Sequence, residues 1–250
     1  MVKVTVAIPC YNHGEFLLET LDSVAAQTLA DYEVVIVDDG SNDPVTRDLL
    51  SRLNRPKVRV VQTVNRGVSA ARNRAIAEAV GEYILPLDAD DLIAPTYLER
   101  AVAVLDAQPD IAVVFGERRM FGEREGVAPL PAYDPRRLLV ENLIYPAAMF
   151  RMADWQKVGG YCEAMIHGWE DWEFWISLST LNRRIVKLPE PLFLYRVRSS
   201  SRDHSLRFFR KLAMFRLMVW RHRGLYLRNS GYVLKKLADH ILSGMSGRRT

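Results

Sequence analysis

Cysteine is scarce in this sequence. Cys10 and Cys162 are the two in 250 residues, and no Cys-x-x-Cys pair occurs. That argues against a disulfide scaffold or a thiolate-built zinc site and suits a reducing cytosol. Long apolar runs are missing as well: no stretch approaches the roughly 20 uninterrupted apolar residues that a membrane span needs. The opening Met1-Val2-Lys3-Val4-Thr5-Val6-Ala7-Ile8-Pro9 alternates and reaches Pro9 without a small-residue cleavage site, which sets aside a secretory leader. A glycine-rich nucleotide loop is absent after this first apolar stretch, where the chain reads Cys10-Tyr11-Asn12-His13-Gly14. That disfavours a sugar nucleotidylyltransferase. No nucleic-acid recognition motif accompanies the basic residues, and basicity alone is poor support for a nucleic-acid partner.

What is present is the composition of an ordinary globular protein, 49% apolar and 26% charged, long enough for one large domain or a domain with an extension. The net charge of +4 is unevenly placed. Residues 196–250 carry 14 Lys and Arg against Asp203 and Asp239, a net of +12, which leaves −8 on the rest. An acidic body with a basic tail directs the tail toward anionic surfaces.

Apolar strands alternate with periodic helices. Strands are expected over residues 4–8, 33–37, 58–62, 83–87 and 111–115, and helices over 15–27, 44–53, 68–80 and 95–107, with Gly81 stopping the third helix. Strands this continuously apolar imply a mostly parallel sheet covered on both faces. Between residues 116 and 142, Gly122, Gly126, Pro129, Pro131 and Pro135 break the pattern, and an irregular lid is expected. A short helix over 153–158 should stop at Gly159-Gly160. Another should open within 167–175 and run to about 181, and short strands over 185–188 and 192–196 complete the domain. Residues 206–227 and 232–242 read as basic amphipathic helices, whose apolar faces either pack on the preceding domain or dock on an anionic bilayer.

In such sheets ligands bind beyond the carboxyl ends of the strands. Three polar stretches fall there: Tyr11-Asn12, Asp38-Asp39 and Asp88-Ala89-Asp90-Asp91. Clustered carboxylates repel unless a proton or a cation arrives. A divalent ion with oxygen ligands would remove that cost and hold a diphosphate; the competing reading is an acidic turn with Asp91 capping the next helix. Further on, Trp169, Trp172 and Trp175 crowd around Asp171 and would wall a carboxylate with aromatic surface. The alternative there is that Asp171 merely complements a helix macrodipole.

The segments Ala7-Ile8-Pro9-Cys10-Tyr11-Asn12, Val37-Asp38-Asp39-Gly40-Ser41, Asn65-Arg66-Gly67-Val68-Ser69-Ala70-Ala71-Arg72-Asn73, Leu87-Asp88-Ala89-Asp90-Asp91, Gly159-Gly160-Tyr161 and Trp169-Glu170-Asp171 resemble, in order and spacing, the family-2 glycosyltransferases of the GT-A fold. The resemblance implies an α/β catalytic domain over residues 1–204, with its nucleotide-sugar half at about 1–115 and its acceptor half at about 116–204, followed by a basic helical tail over 205–250. It implies an inverting transfer of sugar from a nucleotide-diphosphate donor, UDP-linked, to a hydroxyl of a glycan or lipid-linked acceptor. Pro9, Tyr11 and Asn12 would then border the base, and Asp39 would accept a hydrogen bond from it, with Asp38 able to exchange that task. Arg72 would approach base or phosphates, Asp88 would bind the ribose, and Asp90 would ligate a divalent Mn²⁺ or Mg²⁺. Asp171 would be the base, with Trp169 and Glu170 on the acceptor side.

The sequence departs from the family at one position. Members often carry Tyr-Arg-x-His after the last strand, whereas this chain reads Tyr195-Arg196-Val197-Arg198. A guanidinium cannot ligate a metal but pairs bidentately with phosphate, so Arg198 is expected on the diphosphate. His204 lies nearby as a substitute ligand, and His13 and His167 have no assigned role. The scarce cysteines suit a cytoplasmic protein, and the bilayer-docking reading of the basic tail would make it peripheral on the cytoplasmic face of a membrane. The alternative from another class is a non-catalytic sugar-nucleotide or membrane-binding module on the same fold.

Overall fold

The structure, a computed structural model, describes residues 2–127, 130–198 and 208–246. Val4–Cys10 (β1) is buried at every position, as its apolar run requires, and it lies inside a seven-stranded sheet. Tyr32–Asp39 (β2) and Tyr83–Pro86 (β4) flank it, both parallel, and Val58–Thr63 (β3) closes that edge parallel to β2. Beyond β4 come Met149–Arg151 (β9), Ile111–Phe115 (β6) and Arg184–Lys187 (β10). Only β9 breaks the parallel arrangement, running against both β4 and β6. A second sheet joins Leu92–Ile93 (β5), Phe193–Val197 (β11), Arg118–Gly122 (β7) and Gly126–Val127 (β8). The stretch expected to be irregular therefore holds two strands. Arg-Arg-Met-Phe-Gly in β7 has no clean apolar alternation, so its period was hidden. Pro129 lies outside the described residues.

The helices cover the sheet with the faces their spacing dictates. Gly14–Ala25 (α1) buries Leu17, Leu21 and Val24, one stripe at helical spacing. Pro44–Arg52 (α2) starts under Asp43, whose carboxylate accepts from the Val45 and Thr46 amides, with proline where its missing N–H costs nothing. Val68–Ala77 (α3) buries small alanines and lies against β1 and β2. It ends short of the expected residue 80, because the amides of Glu78 and Ala79 already close on Arg74 and Ile76 carbonyls. Gly81 is thus no helix stop. It permits a close approach instead: a Cβ there would stand 2.5 Å from the Thr5 nitrogen. Tyr97–Ala107 (α4) and Met152–Val158 (α5) follow, and α5 stops at Gly159 in the left-handed region, φ 80°. Glu170–Ser179 (α6) is buried nearly all round, from Trp172 to Leu178, which marks it as a core helix rather than a surface one.

Three helices end the described chain: Phe208–Arg221 (α7), Arg223–Arg228 (α8) and Ser230–Ser246 (α9). The single helix expected over 206–227 is broken at His222, and residues 206 and 207 lie outside the described set. Met214, Met218, Tyr226 and Val233 enter the core, so one face of this segment packs on the preceding domain. The anchor is polar. Glu173 on α6, fully buried, takes Arg221 Nε at 2.9 Å and His222 Nε2 at 2.7 Å on one oxygen. Burial alone would raise the Glu173 pKa, but the hydrogen bonds from His222 and Arg221 hold it below the ordinary glutamate value. Among the described residues no helix is long and apolar enough to cross a membrane.

Candidate active site

The parallel strands bring the polar stretches to one end of the sheet, because β1 and β2 pair from Val4↔Tyr32 to Cys10↔Asp38. Pro9 is buried at the end of β1, and the Tyr11 ring stands out at 42% exposure. Asn12 does not extend a free amide. It adopts φ 57°, its Oδ1 accepts from the Asn42 and Asp43 amides at 2.9 and 3.0 Å, and its Nδ2 donates to Asn42 Oδ1. It clasps the loop after β1 to the loop after β2. Asp39 is likewise engaged, one carboxylate oxygen accepting from Arg66 N–H and the other from Gly67 N–H, both at 2.8 Å. Asp38 accepts from Ser41 N–H at 2.9 Å, so the two neighbours hold different loops.

Arg72 lies deeper than expected. Only 2% exposed, it sends Nη1 to Glu170 Oε1 at 2.8 Å and Nη2 to Asp88 Oδ1 at 2.7 Å, with the Tyr161 ring 5.5 Å away. Burial by itself would lower its pKa, but the Asp88 and Glu170 charges raise it, so it is a permanent cation. Each terminal nitrogen pairs with one carboxylate, so Arg72 bridges Asp88 and Glu170. Glu170, expected to line the acceptor side, is itself 8% exposed and belongs to this bridge. Asn73, one residue on, fixes the Gly159-Gly160-Tyr161 turn by accepting Tyr161 N–H and donating to the Tyr161 carbonyl. Gly160 is required there, with φ 78° and a hypothetical Cβ 2.7 Å from Asn73 Oδ1.

The three carboxylates after β4 diverge. Asp88 turns to Arg72. Asp90 Oδ2 meets Arg198 Nη2 at 2.5 Å, and that guanidinium also lies 4.7 Å over the Phe16 ring and 3.3 Å from His13 Nε2. Asp91 is 2% exposed and accepts from the Arg196 amide at 2.9 Å. Burial, with the neighbouring Asp90 and Asp88 charges added, pushes its pKa well above the ordinary carboxylate range. The capping reading of Asp91 fails, since β5 follows it and α4 begins only at Tyr97. Among the described residues no three His, Cys, Asp or Glu side chains converge as a metal cage; His204 lies outside those residues.

Asp171 sits in the first turn of α6. Its Oδ2 accepts from Asn142 Nδ2 at 3.0 Å and its Oδ1 from its neighbour's amide, Trp172 N–H, at 2.8 Å. Burial, then the Glu170 charge, pushes its pKa up to about 7 against the pull of Arg72 and these two donors. Trp169 caps the helix at φ 66°, a costly conformation for a bulky residue. Its ring meets Trp172 edge-on at 5.3 Å, while Trp172 Nε1 donates to the Leu138 carbonyl at 2.6 Å. Asn142, which falls in an aperiodic stretch, and the Leu138 and Leu139 carbonyls carry no signal in the sequence. Tyr226 Oη holds the second of these at 2.8 Å, so the C-terminal helices brace the loop beside Asp171.

The family model described as glycosyl transferase family 2 matches residues 5–164, which stops before Asp171 and Arg198. The chondroitin synthase of Escherichia coli is 30% identical over 182 residues, 70% of this chain and 26% of that protein. The crystal structure of S. aureus TarS 1–349 in complex with UDP superposes with a TM-score of 0.65 at 26% identity, over 78% of this chain and 61% of that one. The UDP-GlcNAc complex of the same protein gives 0.71 at 24% identity, over 87% and 66%, a likeness that speaks for the fold. The chain thus spans about a quarter of the synthase's length.

Proposed function

The chain belongs to glycosyl transferase family 2 and has its GT-A α/β fold, and from that premise we propose that it moves a sugar from a nucleoside-diphosphate donor, UDP-linked, to a hydroxyl of a glycan or lipid-linked acceptor. The carrying observation is the Arg72 bridge. It ties Asp88, at the strand ends, to Glu170, next to a carboxyl with a pKa near 7. Tyr11 offers its exposed ring to the base as a stacking face, and Pro9 borders the same strand end. Each Asp39 oxygen accepts one amide and retains a lone pair, so it can still receive an imide N–H, and Asn12 holds the loops that frame that pocket. Asp88, oriented by Arg72, takes the ribose. Arg198 takes the diphosphate.

Asp171 is the base. It removes the proton from the acceptor hydroxyl as that oxygen attacks the anomeric carbon, and the bond to the diphosphate breaks with its electron pair leaving on the phosphate oxygen. Inversion at the sugar follows from a single displacement. A base whose pKa lies near the operating pH combines adequate ionised fraction with proton affinity. Trp169 and Glu170 shape the acceptor side, Glu170 by locking the start of α6 to Arg72.

Family 2 enzymes generally use a divalent metal, and the residues here fit one held mainly by substrate. With Asp91 buried against Arg196 and Asp88 paired with Arg72, Asp90 remains, and Mg²⁺ commonly uses one or two carboxylates with substrate phosphates and water. Bound there, Mn²⁺ or Mg²⁺ would stabilise negative charge on the leaving diphosphate. Calorimetric titration with UDP, with and without Mn²⁺, should show binding that the metal tightens. Preference for GDP or dTDP would change the donor class, and no binding to any of the three would sink the transferase reading in favour of a non-catalytic module.

The C-terminal helices suit an anionic bilayer on their outer face. Phe209 (79% exposed), Trp220 (66%), Leu227 (73%) and Leu234 (67%) stand among Arg210, Arg216, Arg223, Arg228, Lys235 and Lys236, all exposed, the aromatic and basic mixture of an interfacial helix. A lipid-linked acceptor would be met there. Phosphatidylserine vesicles should sediment with the protein and neutral vesicles should not; equal behaviour toward both would remove the membrane face.

A further inference from the structure

We propose that Arg198 masks Asp90 in the donor-free protein, so that a divalent metal gains this carboxylate only after a nucleoside diphosphate has drawn the guanidinium away. The inference rests on the donor reading above and specifies the order in which that site fills.

Asp90 and Arg198 face each other at 2.5 Å with side-chain exposures of 15% and 21%, sheltered enough for their attraction to escape much solvent screening. A metal approaching this carboxylate would have to displace a cation already in contact and would itself be repelled by it. Little else at Asp90 is free to adjust. Its carbonyl accepts from Arg196 Nε at 2.8 Å, and Arg196 is fixed in turn by Glu19 Oε2 at 2.6 Å and by its own amide on Asp91. The exchange must therefore occur between side chains.

Arg198 is built to make it. Its guanidinium stacks over Phe16 and touches His13 Nε2, a platform that orients the planar fork while it changes partner. Two phosphates present more negative charge than one carboxylate, in a geometry the fork matches bidentately. Once Arg198 pairs with the diphosphate, Asp90 loses its counter-ion beside Asp88 and Asp91. A sheltered carboxylate left without its counter-ion favours a divalent cation.

The test is Mn²⁺ binding, read from the paramagnetic resonance signal of the free ion, on the full chain without nucleotide. Wild type should bind Mn²⁺ weakly. Arg198→Gln, which removes the cation, should bind it on the order of tenfold tighter with no nucleotide present, a free-energy gain of about 1.4 kcal/mol. Adding Asp90→Asn to that variant should abolish the gain. Arg198→His offers a second route, since a neutral imidazole unmasks the carboxylate and adds a ligand. Arg198→Lys keeps the charge and should stay weak. Equal Mn²⁺ affinity in wild type, Arg198→Gln and Arg198→His would overturn the proposal. Failure of UDP, GDP and dTDP to bind wild type would instead remove the donor reading, and the nucleotide-free Mn²⁺ comparison would still decide whether Arg198 masks Asp90.

Discussion

Asp171→Asn is expected to cut transfer by about 10²–10⁴-fold, the usual contribution of a positioned base, while UDP affinity stays nearly intact. The substitution preserves shape and a hydrogen-bond acceptor for Trp172 N–H, but an amide cannot take the acceptor proton. In wild type, kcat/KM should rise with pH through about 7 as the carboxyl of the free enzyme ionises, and the variant should lack that limb. Stability should move the other way. The folded pKa lies above the ordinary carboxylate value, so the stability this group contributes is full below that ordinary value and is lost as pH rises through about 7. At pH 8 the variant, with no charge to bury, should therefore unfold at higher urea than wild type. A collapse of UDP affinity together with activity would make Asp171 a donor-side or structural residue instead.

Arg72→Met should destabilise the protein by about 3–5 kcal/mol, the cost of breaking a buried ion pair from one side. Methionine fills the space beside Tyr161 but leaves Asp88 and Glu170, now without the cation between them, to repel each other. The urea midpoint should fall at unchanged slope, and UDP should bind more weakly because Asp88 loses its orientation. Pairing the change with Glu170→Met should restore part of the loss, since residues in one network are not additive. Arg72→Lys should recover less than its charge suggests, because one ammonium on a flexible stem does not span both carboxylates as a fork does. A variant as stable as wild type would show that the bridge contributes little to the fold.

The strands and helices of residues 4–115 were legible because each follows a local rule. β4 and β6 are apolar throughout, β1 is interrupted only by Thr5, β2 holds the apolar run Val34-Val35-Ile36-Val37, α1 repeats Leu17, Leu21 and Val24, and α2 announces itself with Asp43-Pro44. Their alternation already placed Asp38, Asp39 and Asp88–Asp91 at one end of a parallel sheet. What the sequence could not show was which charge meets which. Arg72 and Glu170 stand 98 residues apart, and Asp90 and Arg198 stand 108 apart. No periodicity carries a pairing at that range. The position of Arg198 could be read from its departure from the Tyr-Arg-x-His pattern, but its contact with Asp90 depends on β11 lying beside β5. Asn142 and the Leu138 carbonyl were invisible for a different reason: their chemistry is backbone and amide polarity in an aperiodic loop.

The buried carboxylate of Glu173 has a consequence for synthesis. Its partners Arg221 and His222 follow it by 48 and 49 residues. A growing chain thus exposes the helix bearing Asp171 well before the cations that neutralise that helix's buried charge have been made. Until then α6 carries an uncompensated carboxylate, which opposes its burial. The C-terminal helices thus complete the burial of α6 by closing back upon it, and a chain that ends before residue 221 should leave Glu173 without its counter-ions and α6 less firmly packed.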